Sequence, residues 1–80
     1  MDTIQAIKTR ILRLCNDRGL TINSLATLSA LPPSSVKNIL YGKSQNPKIL
    51  TLKMICDGLE ITLKEFFDTP EFNDLEQEIK

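Results

Sequence analysis

Apolar residues near the start of the chain recur at intervals of three and four: Ile4, Ile7, Ile11, Leu12, Leu14 and Cys15. That spacing marks one face of a helix. It predicts a first helix from about Thr3 to Arg18, capped by Asp2 or Thr3 and stopped by Gly19. Lys8, Arg10 and Arg13 fall on the other side and read as a solvated face. Thr21 then restarts the chain as an N-cap, with Leu20 and Leu25 at the spacing of a hydrophobic staple. A second helix is predicted from Ile22 to about Ser29, burying Leu25, Ala26 and, as a further candidate, Leu28.

The short connector Ala30-Leu31-Pro32 leads to Pro33, a residue suited to the first helical position because no N–H is needed there. Leu31 and Val36 form a second staple. A third helix is predicted from Pro33 to Tyr41, with Val36, Ile39 and Leu40 inward and Gly42 in the left-handed conformation after it. A polar loop from Lys43 to Pro47 precedes a fourth helix, about Ile49 to Gly58, burying Leu52, Ile55, Cys56 and Leu59. "ILTL" alone would suit a strand, but its continuation at spacings of three and four favours helix. Thr62-Leu63-Lys64-Glu65 is a capping box with Ile61 and Phe66 as its staple, so a fifth helix runs to about Asp68. Thr69-Pro70 signals one more start. A sixth helix of roughly ten residues would place Phe72, Leu75 and Ile79 on one side. The reading is all-α: a compact domain of five short helices over residues 1–68, and an acidic segment, 69–80, with a possible short sixth helix.

Composition narrows the functional classes. Eighty residues suit one domain, and with tryptophan absent the core must be Leu, Ile and a few Phe. No apolar run approaches the roughly 18 residues of a membrane span. The amphipathic N-terminus does not read as a signal peptide, so the expected location is cytoplasmic, with no membrane partner. Cys15 and Cys56 each sit in an apolar helical pattern and read as two reduced core thiols. Histidine is absent, and no CxxC or carboxylate cluster has ligand spacing. No metal, cofactor or small-molecule substrate is expected, and no nucleophile–base pair suggests an enzyme.

The net charge of zero conceals an asymmetry. Residues 1–59 hold eight basic and three acidic side chains, a net of +5, and residues 60–80 hold two and seven, a net of −5. A basic body with an acidic tail suits a polyanionic partner. Two short helices joined by a tight turn within a small helical domain form a helix-turn-helix. The second helix of such a pair sets its N-terminal residues against base edges in the major groove. Here these are Pro33, Ser34, Ser35, Lys37 and Asn38. Lysine suits guanine O6 and N7, and asparagine suits the adenine N6/N7 pair. Thr21, Asn23, Tyr41, Lys43, Ser44, Asn46 and Lys48 are the candidates for phosphate and backbone contacts, which set register and supply salt-dependent affinity.

From about Ile4 to Asp68 the sequence resembles the phage-repressor-like, XRE/Cro-type helix-turn-helix DNA-binding domains. The resemblance rests on "NDRGLTINSLATLSALPPSSVKNILYGKSQNP" and "LTLKMICDGLEITLKEFFD". It implies a transcriptional regulator, repressor-like, acting on double-stranded DNA as a homodimer. The departures are specific. Ile22 stands where the family often has a phosphate-binding Gln, and Pro33 where a base-reading polar side chain is common. Cys15 and Leu40 occupy positions where the family often pairs Arg with Glu. Exchange of a buried ion pair for an apolar contact can be neutral or stabilising, so the joint replacement fits an intact fold. A rival reading is an antitoxin-like or adaptor protein using the domain mainly to bind protein, with the acidic tail as the feature in its favour.

Overall fold

In the computed structural model the described residues are 1–42 and 44–79. Every regular element among them is a helix. These are α1 (Thr3–Arg18), α2 (Ile22–Leu28), α3 (Pro33–Leu40), α4 (Ile49–Gly58), α5 (Leu63–Phe67) and α6 (Pro70–Asn73). None is long and apolar enough to cross a membrane.

The helix starts follow local chemistry. The Asp2 carboxylate accepts the Gln5 N–H at 2.9 Å, so Asp2 rather than Thr3 caps α1. Thr21 accepts the Ser24 N–H, and the Thr62–Glu65 capping box closes in both directions. Among the described residues, three helix ends share one joint. After α1, α2 and α4 a residue in the left-handed region, Gly19 (φ 63°), Ala30 (φ 55°) or Glu60 (φ 58°), turns the chain. The next N–H then reaches back five residues: Leu20 to Cys15, Leu31 to Ala26 and Ile61 to Cys56, at 2.9 to 3.0 Å. Leu20, Leu31 and Ile61 pack on the core and serve as staples for the following helices. A side chain at positive φ costs about 1 kcal/mol, partly offset because glycine has more freedom to lose on folding. Ala30→Gly and Glu60→Gly should therefore each raise stability by about 0.5 kcal/mol in urea denaturation, whereas Gly19→Ala should lower it. A loss in either glycine variant would show that the Ala30 or Glu60 side chain contributes packing that outweighs its strain.

Gly42 is not in the left-handed region, contrary to expectation. Glycine is needed there for space, since a Cβ would lie 2.8 Å from the Asn38 Cα and 2.9 Å from its Oδ1. Gly58 marks another close approach, where a Cβ would meet the Leu28 carbonyl at 2.9 Å and Ser29 Oγ at 2.7 Å. This crossing seats the end of α2 against the end of α4.

One core joins the first five helices: Ile7, Ile11, Leu14 and Cys15 from α1, Leu25 and Ala26, Val36, Ile39 and Leu40, Leu52, Ile55 and Cys56, Leu59, and Phe66. Both cysteines are free and buried, and burial pushes both thiols up. Periodicity overreached at two leucines: Leu12 is 40% exposed and Leu28 54%. Each lies at the margin of its helix's apolar face, open to solvent.

The basic side of α1 is not simply solvated. Arg10 donates from Nε to the Phe66 carbonyl at 2.8 Å and from Nη2 to the Glu65 carbonyl at 2.9 Å, satisfying carbonyls at the end of α5. Arg13 donates to Glu71 Oε1 at 2.8 Å. That bond, helped by the backbone N–H of Glu71, holds the Glu71 carboxyl down to about 2, so it stays ionised through the ordinary carboxylate range.

The sixth helix is four residues, not ten. Phe72 docks on Phe66 and Phe67 of α5, and α6 also touches α1. Thr69 makes no side-chain cap bond, and the helix stops at Asp74. Leu75 is only half-buried, and Ile79 is 86% exposed. With no apolar partner beyond Phe72, a helix so short has nothing to offset its ordering. Residues 74–79 instead cross the start of α1, and the predicted apolar face does not form.

Candidate nucleic-acid interface

The α2–α3 pair is held by its apolar residues. Leu25 and Ala26 of α2 and Val36, Ile39 and Leu40 of α3 are all buried. Pro33 takes the first helical position, following Pro32 in extended conformation, and the Ser35 N–H bonds the Pro32 carbonyl at 3.0 Å. Burial of three residues on one side of an eight-residue helix turns the others outward. Pro33, Ser34, Lys37 and Asn38 are exposed, and Ser35 is half-buried.

A surface groove of about 490 Å³ runs between α3 and the start of α4. Ser35 and Asn38 form one side, and Ser44, Asn46, Lys48 and Thr51 the other. Two base-edge candidates and three phosphate candidates thus share one concavity. Pro33, Ser34 and Lys37 lie outside it on the exposed side of α3. The close fit of Gly42 against the Asn38 carboxamide limits where that side chain can turn.

The remaining candidates are dispersed. Tyr41 is 65% exposed, so its ring is not packed away against α4. The Thr21 hydroxyl accepts the Ser24 N–H and donates to Ser24 Oγ at 2.9 Å, which commits it to the cap. Asn23 is exposed in the first turn of α2. Lys48 is the backbone N-cap of α4, with an exposed side chain. Lys43 lies outside the described residues.

Thr51 was not a sequence candidate. Its signal was its place as the one polar residue in "ILTL", in the first turn of α4, where it lines the groove. Of the basic residues in the first 59, Arg10, Arg13 and Lys53 are engaged within the fold, Lys53 with Asp57. Lys37 and Lys48 carry positive charge beside the groove.

Three comparisons bear on this surface. A profile described as the Cro/C1-type HTH DNA-binding domain matches residues 10–71. The HTH-type transcriptional regulator SlrR of Bacillus subtilis (strain 168) is 40% identical over 60 residues. The match covers 74% of this chain and 40% of SlrR, so the chain spans less than half the length of that relative. The crystal structure of the prophage Lp1 protein 11 superposes with a TM-score of 0.79 at 34% identity, covering 94% of this chain and all of that one.

Proposed function

Because the chain belongs to the Cro/C1-type helix-turn-helix DNA-binding domain family, we propose that it is a sequence-specific, repressor-like transcriptional regulator acting on double-stranded DNA in the cytoplasm. The observation that carries this reading is the outer side of α3, which is polar and exposed while its inner side is buried, and which continues into the groove holding Asn46 and Lys48. In this reading α3 enters the major groove through its first two turns. Lys37 and Asn38 read base edges, Ser34 and Ser35 add hydroxyl contacts, and Pro33 offers an apolar contact such as a thymine methyl. Ser44, Asn46, Lys48 and Thr51 hold the phosphate backbone. One helix this short spans a few base pairs, so two copies on a two-fold site, with half-sites about 34 Å apart, supply the affinity and selectivity. The DNA face needs no metal or cofactor, and no enzymatic step is assigned to it.

The test begins with selection from random duplex DNA. The recovered site should be a two-fold repeat bound by two chains. Lys37→Ala and Asn38→Ala should each relax preference at one position per half-site, costing about 1–3 kcal/mol of discrimination. Lys48→Ala should weaken all duplexes alike and flatten the salt dependence. If all three variants keep the parent's selectivity and salt slope, α3 is not the reading element.

A further inference from the structure

Beyond Asn73 the chain crosses the N-terminal end of α1 as a strap. The Glu76 N–H donates to the Met1 carbonyl at 3.3 Å, and the Thr3 hydroxyl donates to Glu78 Oε2 at 2.8 Å. Glu78 then stands on one wall of an open concavity of about 530 Å³. Asp2, Thr3, Gln45, Asn46 and Pro47 contribute to its other walls. Asn46 and Pro47 also line the groove beside α3. On charge grounds the acidic segment should lie away from the third helix, where phosphate would repel it. Its beginning does, packed on α5, but its end is brought beside the loop assigned above to phosphate contacts.

The strap is lightly held. Both hydrogen bonds are at exposed positions, and Leu75 is the only residue of 74–79 that is half-buried rather than exposed. Such a segment detaches locally at low free-energy cost. Asp74, Glu76 and Glu78 place three carboxylates along it. A duplex seated on α3 and the 44–48 loop brings phosphates towards them, and like charges within a Debye length of about 10 Å repel. The geometry points to a displaceable electrostatic strap: residues 74–79, docked on α1, oppose seating of the DNA backbone at the 44–48 loop, and DNA binding displaces them. This rests on the DNA-binding reading above and adds regulation of that same surface. Because DNA and the docked strap disfavour each other, whatever anchors the strap weakens DNA binding, and whatever draws it off strengthens it. The effect acts through phosphates, so it is independent of sequence and fades with salt.

The experiment measures duplex binding by the full chain, by Glu76→Gln/Glu78→Gln and by Thr3→Val, at about 0.05 M and about 0.3 M salt. The double variant should bind any duplex about three- to fivefold tighter at the lower salt, with under about twofold remaining at the higher. Thr3→Val keeps every charge but removes a tether. It should tighten binding about twofold and speed amide exchange at Glu76. Glu60→Gln, at the far end of α4 from Lys48, should change binding by less than about twofold. Unchanged or weakened binding by both strap variants, with the parent binding DNA, overturns the strap and leaves the function standing. If neither parent nor variants bind duplex DNA at low salt, both readings fall.

Discussion

Leu40→Glu is expected to destabilise the domain by about 3 kcal/mol, with Cys15→Arg costing a similar amount and the double variant recovering much of the loss. Leu40 and Cys15 are both almost wholly buried, on α3 and α1, within one core. A single carboxylate or guanidinium there loses water and gains no partner. Neutralisation is the easier escape for the carboxylate, so the cost of Leu40→Glu should shrink as pH falls through the raised pKa of the new group. The double variant recreates the Arg–Glu pair common at these positions in related domains, and the two charges then compensate each other. Urea denaturation of the four proteins gives the coupling energy directly. A cost below about 1 kcal/mol for Leu40→Glu would mean that the new side chain escapes to solvent past the end of α3, and that Leu40 is not a core residue in the energetic sense.

Phe66→Ala should be more damaging, at about 4 kcal/mol. Phe66 is fully buried, and its ring meets Phe67 edge-on at 4.9 Å while tilting towards Phe72 at 6.2 Å. Its removal opens a cavity at the junction of α1, α5 and α6. A domain of this size is stable by roughly 4–12 kcal/mol, so the variant should be partly unfolded at ordinary temperature. The Arg10 bonds go to backbone carbonyls of Glu65 and Phe66 and survive the side-chain change. The Arg10 guanidinium also lies over the Phe66 ring, 6.0 Å from its centroid, so Arg10→Ala and Phe66→Ala should add only in part. Thermal melts followed by far-ultraviolet circular dichroism would show the loss, and a Phe66→Ala protein melting within a few degrees of the parent would contradict the assignment of Phe66 to the core.

What could be read from the sequence was local. Thr21, Thr62 and Pro33 announced their helices because a cap needs only the next three residues, and the three staples worked because each spans five positions of one continuous turn. Every inward residue assigned to α3 and α4 is buried, since both helices are short and strongly one-sided. The failures were long-range. Nothing near Arg10 or Arg13 in the sequence indicates that their partners lie more than fifty positions away. Leu12 and Leu28 obey the period, but which margin of a face receives a neighbour depends on helix crossing, not on spacing. The same limit governs the candidate surface. The outward residues of α3 were legible as the complement of the buried ones. Thr51 was not, because its approach to Asn38 depends on how α4 is seated. The tail misled for a related reason: its helical pattern was real, but only Phe72 found a docking place.

The repeated left-handed joint has a consequence for how this domain can vary. At each of these three uses, one apolar residue closes the preceding helix and staples the next, and the turning residue and this apolar one directly precede the following cap. An inserted residue would pull Leu20, Leu31 or Ile61 out of register with both helices at once. Insertions at these joints should be tolerated poorly, and a single added glycine after Gly19, Ala30 or Glu60 should cost more than several added between Ser44 and Asn46. The latter segment is polar and borders the groove. Length changes are thereby directed to the part of the chain that touches the proposed partner, so lineages of such domains can diversify their contacts while the frame that aims α3 keeps its spacing.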